Sequence, residues 1–200
     1  MTTNSTIIQK TRILLDDVDL PIIWVKDFDP DNVQVFISKL LRLESDLETA
    51  EIFVYICSEG GCAYSLLGML DAMIGCRKPV NTVGLGICAS AGGILLACGT
   101  GQRWLAENSF MHIHHVRGTL RGDGDSPACE QDVKQTQQLE SRIFKLITKR
   151  STFTVTQLRE RLKNEAREWQ LSAKSALKYG FIDHIGVPSI KKHIVTEYEV

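Results

Sequence analysis

Twice in its first half the chain repeats one pattern: a short apolar run, a glycine-rich loop, and a segment with helical spacing. Glu51-Ile52-Phe53-Val54-Tyr55-Ile56 leads into Cys57-Ser58-Glu59-Gly60-Gly61 and then a helix predicted over Ala63–Ile74. Val80–Leu85 leads into Gly86-Ile87-Cys88-Ala89-Ser90-Ala91-Gly92-Gly93 and the apolar segment Ile94–Ala97. Apolar runs without alternation are strands covered on both faces. Strand, loop and helix in succession is the rhythm of a parallel α/β sheet. Upstream, Pro21–Val25 reads as a first strand, and Asp29-Pro30 as the start of a helix with Val33, Phe36, Ile37, Leu40 and Leu41 on one face. Downstream come short strands at Gln102–Leu105 and Phe110–His114, a glycine- and charge-rich loop over Arg117–Pro127, and a long helix from about Cys129 to Lys149. Thr154 or Thr156 caps a further helix, Ser172 caps another that Gly180 ends, and Phe181-Ile182-Asp183 returns to the sheet. A chain of 200 residues supports one domain of this kind. Its predicted limits are 21–186, between an arm at 1–20 and a tail at 187–200.

A formal net charge of -1 argues against a general binder of nucleic acid or of membrane surfaces. The six cysteines include no Cys-x-x-Cys pair, and most sit in apolar runs as small hydrophobes do. No metal site and no disulfide framework is expected, and reduced cysteines fit a cytoplasmic protein. The longest apolar stretch, Ile87–Cys98, is too short to span a bilayer, and the polar N-terminus has no signal core.

Glycine loops at the ends of parallel strands stand where such sheets bind ligands. They serve as phosphate cradles, as oxyanion holes, or simply as tight turns. The first use lacks support, because no Gly-x-x-x-x-Gly-Lys is present and no lysine stands beside either loop. Ser90 falls at a strand-to-helix junction, which suits either an ordinary helix N-cap or a nucleophile facing backbone N–H donors. The surrounding Cys88-Ala89-Ser90-Ala91-Gly92 is not a Gly-x-Ser-x-Gly elbow. A serine nucleophile needs a base, and His112, His114 and His115 cluster at one short strand. His112 and His114 share a strand face, so a zinc pair is a second use for them, but no third ligand is near in the sequence. His184 and His193 read as surface residues.

Three segments in order, Tyr55-Ile-Cys-Ser-Glu-Gly-Gly61, Gly86-Ile-Cys-Ala-Ser-Ala-Gly92 and Asn108-Ser-Phe-Met-His-Ile-His114, resemble the proteolytic subunit of the Clp protease family. A fourth, Arg167-Glu-Trp-Gln-Leu-Ser-Ala173 with Tyr179-Gly-Phe-Ile-Asp183, is similar to that family's C-terminal motif. The resemblance covers roughly 20–186. It implies an α/β fold of stacked β-sheets shared with crotonase-like enzymes, flanked by helices, with a protruding handle helix at about 117–150. It implies a serine endopeptidase with Ser90 as nucleophile, His114 as general base and Glu168 as the acid. Backbone N–H groups of Gly61 and Ala91 would form the oxyanion hole. Gly60, Cys62, Ala63, Arg117 and Gly118 would flank an extended substrate, and Arg167 would sense contacts between subunits. The implied assembly is two stacked heptameric rings of this chain, degrading unfolded polypeptides. An ATP-driven AAA+ unfoldase would feed them, so ATP would belong to the partner and no cofactor to this chain.

The chain departs from the family pattern at four places. Glu168 replaces the usual aspartate, with Asn164 and Glu165 as rival placements. Ala91 replaces methionine after the serine, Glu59 replaces a proline, and Ala166 replaces the acidic residue before Arg167. The N-terminal region matches poorly. These departures mark a divergent member, and they leave a second reading in which the chain is a weakly active structural paralogue in a mixed ring. A third, a crotonase-like acyl-CoA enzyme, would not need Ser90 and His114 together.

Overall fold

The computed structural model describes residues 20–118, 127–165 and 168–189. The N-terminal arm up to residue 19, the tail from residue 190, most of the loop before the long helix, and Arg167 lie outside them.

Strand β1 (Ile22–Val25) pairs in parallel with β2 (Ile52–Ser58), and β2 with β3 (Val80–Ala89). Between them, α1 (Pro30–Ser45) starts where Asp29 accepts the Asn32 N–H at 2.8 Å and Pro30 supplies its fixed φ. Helix α2 (Ala63–Gly75) follows the first glycine loop. Strand β2 is buried at six of its seven positions, as its unbroken apolar run requires. One face packs Val54 and Ile56 with Phe36, Leu40, Met69 and Met73 of the two helices. The other carries a smaller cluster of Phe53, Tyr55 and Val83 with Ile22, Leu85 and Trp104 against it.

Strand β3 runs further than its sequence suggests. The second glycine loop, expected to begin at Gly86, is for its first half a break within the strand. Ile56 sits opposite Gly84 but Ser58 opposite Cys88, so the register shifts across residues 85–87. Gly86 has φ +62°, and its N–H donates to Ser109 Oγ at 2.7 Å. Before the break, Thr82–Gly84 pairs with β4 (Arg103–Leu105), which in turn pairs with β7 (His184–Ile185). After it, Ile87–Ala89 pairs with β5 (Phe110–His114). The result is a mixed, mostly parallel sheet of order β1-β2-β3-β4-β7, with a β5-β6 arm leaving β3 at its carboxyl end.

Strand β6 (Glu168–Ser172) was not anticipated from the residues. It lies antiparallel to β5 with Glu168 opposite His114 and Gln170 opposite His112. Its side chains alternate as a strand with one covered face requires: Trp169 and Leu171 are buried while Glu168, Gln170 and Ser172 are exposed. The return strand also falls later than expected, at His184–Ile185 and not 181–183, because Phe181 and Ile182 are spent on the core. The long helix α4 (Pro127–Thr148) and α5 (Val155–Asn164) cover the β5-β6 arm with Ile143, Phe144, Ile147, Leu158 and Leu162. Thr154, not Thr156, caps α5, in a reciprocal capping box with Gln157. Ser172 caps α6 (Ala173–Lys178) as expected. Among the described residues, no helix is long and apolar enough to cross a membrane.

A buried cation ties β4 to the chain's return. Arg103, 2% exposed, donates to both carboxylate oxygens of Asp183, at 3.0 and 2.7 Å, and to the carbonyl of Ala97 at 3.1 Å. Arg150 adds a further contact to Asp183 at 3.1 Å. Burial pushes the Asp183 carboxyl up, but the hydrogen bonds and charge of Arg103, with Arg150, outweigh it and hold the group below its ordinary value. With the folded value depressed, this contribution is full above the unfolded carboxylate range, near pH 4, and is lost as pH falls through the folded value. Asp183→Ala strands the guanidinium, and urea denaturation should register a loss of about 3 kcal/mol. A loss within about 0.5 kcal/mol, typical of surface changes, would contradict this role.

Candidate active site

Helix α3 (Ala91–Ala97) is buried along its whole length, and its first residue follows Ser90 directly. Ser90 has φ +54° and ψ −121°, and among the described non-glycine residues no other has positive φ. A serine in that region costs on the order of 1–3 kcal/mol and persists only when its surroundings hold it there. Here the Ser90 N–H donates to the carbonyl of His112 at 2.9 Å, and the Ser90 carbonyl accepts from Ile94 N–H at 3.1 Å. The hydroxyl makes no capping hydrogen bond, although Ser90 occupies the N-cap position. The turn therefore fixes the backbone and leaves Oγ outside the helix's own bonding.

The first glycine loop closes over this turn. Gly60 and Gly61 have φ +111° and +149°. A Cβ on Gly60 would stand 2.6 Å from Ser90 Cβ and 3.1 Å from Ala91 N. A Cβ on Gly61 would stand 2.6 Å from the carbonyl of Phe28. Only glycine satisfies both the conformation and the contact at these positions. Gly60 N–H is turned back to Ser58 Oγ at 3.0 Å, and Cys62 N–H to the Phe28 carbonyl at 2.7 Å, which pins the loop on either side of Gly61.

His114 ends β5, half-buried, and lines one cavity of about 530 Å³ together with Ser90, Gly61, Cys62, Ala63, Ala91, Arg117 and Gly118. The structure thus gathers into one cavity most of the candidates chosen from sequence, and Gly60 lies directly behind its Ser90 wall. Glu59 and, from α4, Asp132, Gln135, Thr136, Leu139 and Ile143 also line it. Sequence reasoning missed the α4 residues, since an amphipathic face signals burial but not what it is buried against.

The histidine's partner is a carbonyl. Nδ1 of His114 lies 2.6 Å from the carbonyl oxygen of His115. A carbonyl can only accept, so Nδ1 is the donor, and in the Nδ1–H tautomer of the neutral ring the lone pair is on Nε2. Glu168, expected as the acid, stands opposite His114 in the strand register, but its carboxylate is engaged elsewhere. One oxygen accepts from Arg117, and the other lies 3.9 Å from His112 Nε2. Burial pushes His112 down, with Glu168 pulling the other way, so His112 sits below the ordinary histidine value and is neutral near pH 7. Of the rival placements, Glu165 pairs with Arg161 at 2.7 Å. Arg167 lies outside the described residues.

Among the cysteines, Cys62 at the head of α2 is held below the ordinary thiol value by hydrogen bonding from Ser65, while burial pushes Cys88 up to about 12. Among the described residues, no group of three or more His, Cys, Asp or Glu is arranged to hold a metal ion.

A mixed, mostly parallel sheet with flanking helices, and a strained serine turn between β3 and α3 beneath a glycine loop, define the α/β class of this protein. The family model described as Clp protease matches residues 7–189. The chain is 34% identical over 150 residues to an ATP-dependent Clp protease proteolytic subunit of Streptococcus mutans, covering 74% of this chain and 75% of that one. It is 33% identical over 150 residues to proteolytic subunit 1 of Salinibacter ruber, covering 74% of this chain and 62% of that one. It is 30% identical over 156 residues to proteolytic subunit 1 of Prochlorococcus marinus, covering 78% and 77%. The chain belongs to the Clp protease family, and its architecture is the α/β fold which that family shares with crotonase-like enzymes.

Gly60→Ala tests the close contact behind Ser90. The added methyl forces the Gly60 loop or the Ser90 turn to shift, so any labelling of Ser90 by a fluorophosphonate should slow by about tenfold or more while the protein stays folded by circular dichroism. An unchanged rate would show that the contact does not hold the serine.

Proposed function

We propose that this chain is a serine endopeptidase subunit of a self-compartmentalised Clp-type protease acting on unfolded polypeptides or peptides. The observation that carries the reading is the Ser90 turn: a positive-φ serine, held by backbone bonds, whose hydroxyl is left out of capping and faces a cavity shared with His114. Ser90 Oγ attacks the peptide carbonyl carbon and passes its proton to Nε2 of His114. The carbonyl oxygen, now an oxyanion, accepts from the N–H groups of Gly61 and Ala91, contributing about 3 kcal/mol to the transition state. Collapse breaks the C–N bond, and the imidazolium returns its proton to the leaving amine. Water, deprotonated by the same His114, then hydrolyses the acyl-enzyme and frees Ser90. Gly60, Cys62 and Ala63 on one side and Arg117 and Gly118 on the other flank the substrate in extended form.

Glu168 supplies negative charge on the strand beside His114, in reach once Arg117 releases it. Arg167 senses ring contacts, and the chain works as two stacked heptameric rings in the cytoplasm. It needs no metal or cofactor of its own, because ATP is consumed by a partner AAA+ unfoldase that delivers unfolded chains. One observation favours the alternative of a weakly active structural subunit: the carboxylate of Glu168 is bonded to Arg117.

A fluorophosphonate probe should label the native protein once per chain, at Ser90 by peptide mapping, and Ser90→Ala should lose both the label and peptide hydrolysis. Absence of label on the native assembly, at a mass consistent with rings, would overturn the enzymatic reading in favour of the structural one.

A further inference from the structure

The loop that leaves β5 is tied to α4 by a single carboxylate. Glu140 Oε2 accepts from His115 Nδ1 at 2.8 Å and from the backbone N–H of Val116 at 3.2 Å. Its other oxygen lies 3.5 Å from Arg159 Nε on α5, and Arg159 also donates to Ser141 Oγ at 2.6 Å. The Glu140 side chain is only 14% exposed, and the His115 ring rests 6.0 Å from that of Phe144. The clamp is thus built into the α4–α5 packing and is not a loose surface pair.

The Val116 N–H and the His115 carbonyl belong to the same peptide group. That carbonyl is the acceptor for His114 Nδ1. A continuous chain therefore runs from the Glu140 carboxylate, through the 115–116 peptide, to the ring of His114. A carboxylate accepting from a peptide N–H polarises the peptide and makes its carbonyl a stronger acceptor, because successive hydrogen bonds reinforce one another. The carboxylate bond to His115 Nδ1 also fixes the orientation of that residue, whose carbonyl must point at His114.

The geometry points to Glu140 as a positioning residue for His114, acting through the His115–Val116 peptide while the Glu168 carboxylate is held by Arg117. The inference rests on the proposed serine chemistry. It adds that the acid function is divided, with the carboxylate on α4 and a carbonyl as the atom that touches the imidazole. As the imidazole takes the serine proton, the polarised carbonyl stabilises the positive charge, and the peptide itself gains and loses no proton. Glu140 touches no substrate, so its effect falls on turnover and not on peptide binding.

The test compares Glu140→Ala and Glu140→Gln in the full assembly, with ring mass checked by sedimentation velocity. A fluorogenic peptide reads kcat and KM, and fluorophosphonate labelling reads the rate at Ser90 without peptide binding. Glu140→Ala should lower kcat and the labelling rate together by about tenfold, the scale of one charge-assisted hydrogen bond, with KM within about twofold. Glu140→Gln keeps an acceptor oxygen, and should restore labelling to within about threefold of the starting protein. If Glu140→Ala labels at the original rate, or if KM carries the change, the inference is overturned. Should Glu140→Ala fail to assemble, magic-angle-spinning NMR of the unaltered protein with ¹⁵N-histidine supplies the second check. His114 must then be in the Nδ1–H form, and an Nε2–H form overturns the inference. Failure of the unaltered protein to label defeats the peptidase reading itself, whereas labelling that Glu140→Ala leaves unslowed defeats this inference alone.

Discussion

The change of partner within β3 is the constraint on which the site depends. Up to Gly84 the strand is an inner member of a parallel layer between β2 and β4; from Ile87 onward its neighbour is β5. The break at Gly86 lets one strand serve both, and it sets the end of β3 beside the histidine strand. Ser90 then follows at φ +54°, with its N–H on the His112 carbonyl. Ser90 and the histidine strand are thus coupled through a backbone hydrogen bond before any side chain is considered, which is a stiffer arrangement than two loops meeting by packing alone.

The electrostatics around the pair are spread over three elements. Arg117 holds the Glu168 carboxylate, burial lowers the pKa of His112, and the carbonyl of His115 accepts from Nδ1 of His114. The Glu168 carboxylate, one methylene further from the backbone than an aspartate's, extends from β6 to Arg117. The family departure read in the sequence at position 168 therefore has a structural counterpart in where the acid's charge goes.

Much of this was legible in the residues. The apolar runs gave β2 and the first half of β3, Asp29-Pro30 gave the start of α1, and the order of glycine, serine and histidine segments gave the loop and strand side of the cavity but not its α4 wall. Three things were not legible. The break at Gly86 depends on Ser109 taking its N–H, a contact 23 residues away. Strand β6 is short and half polar, and it becomes a strand only because β5 offers it an edge. Glu140 sits in a polar stretch of α4 with Gln137, Gln138 and Ser141, where a carboxylate looks solvated until the fold brings His115 and Val116 beneath it.

The central claim is that Ser90, Gly61 and Ala91 converge on one reacting carbonyl. A crystal structure of the protein after reaction with a fluorophosphonate tests it most directly. The account predicts a phosphoryl group on Ser90 Oγ whose oxygen lies about 3 Å from the N–H groups of both Gly61 and Ala91, with Nε2 of His114 facing Oγ. A phosphoryl oxygen turned to solvent, or bonded to neither N–H, would contradict it.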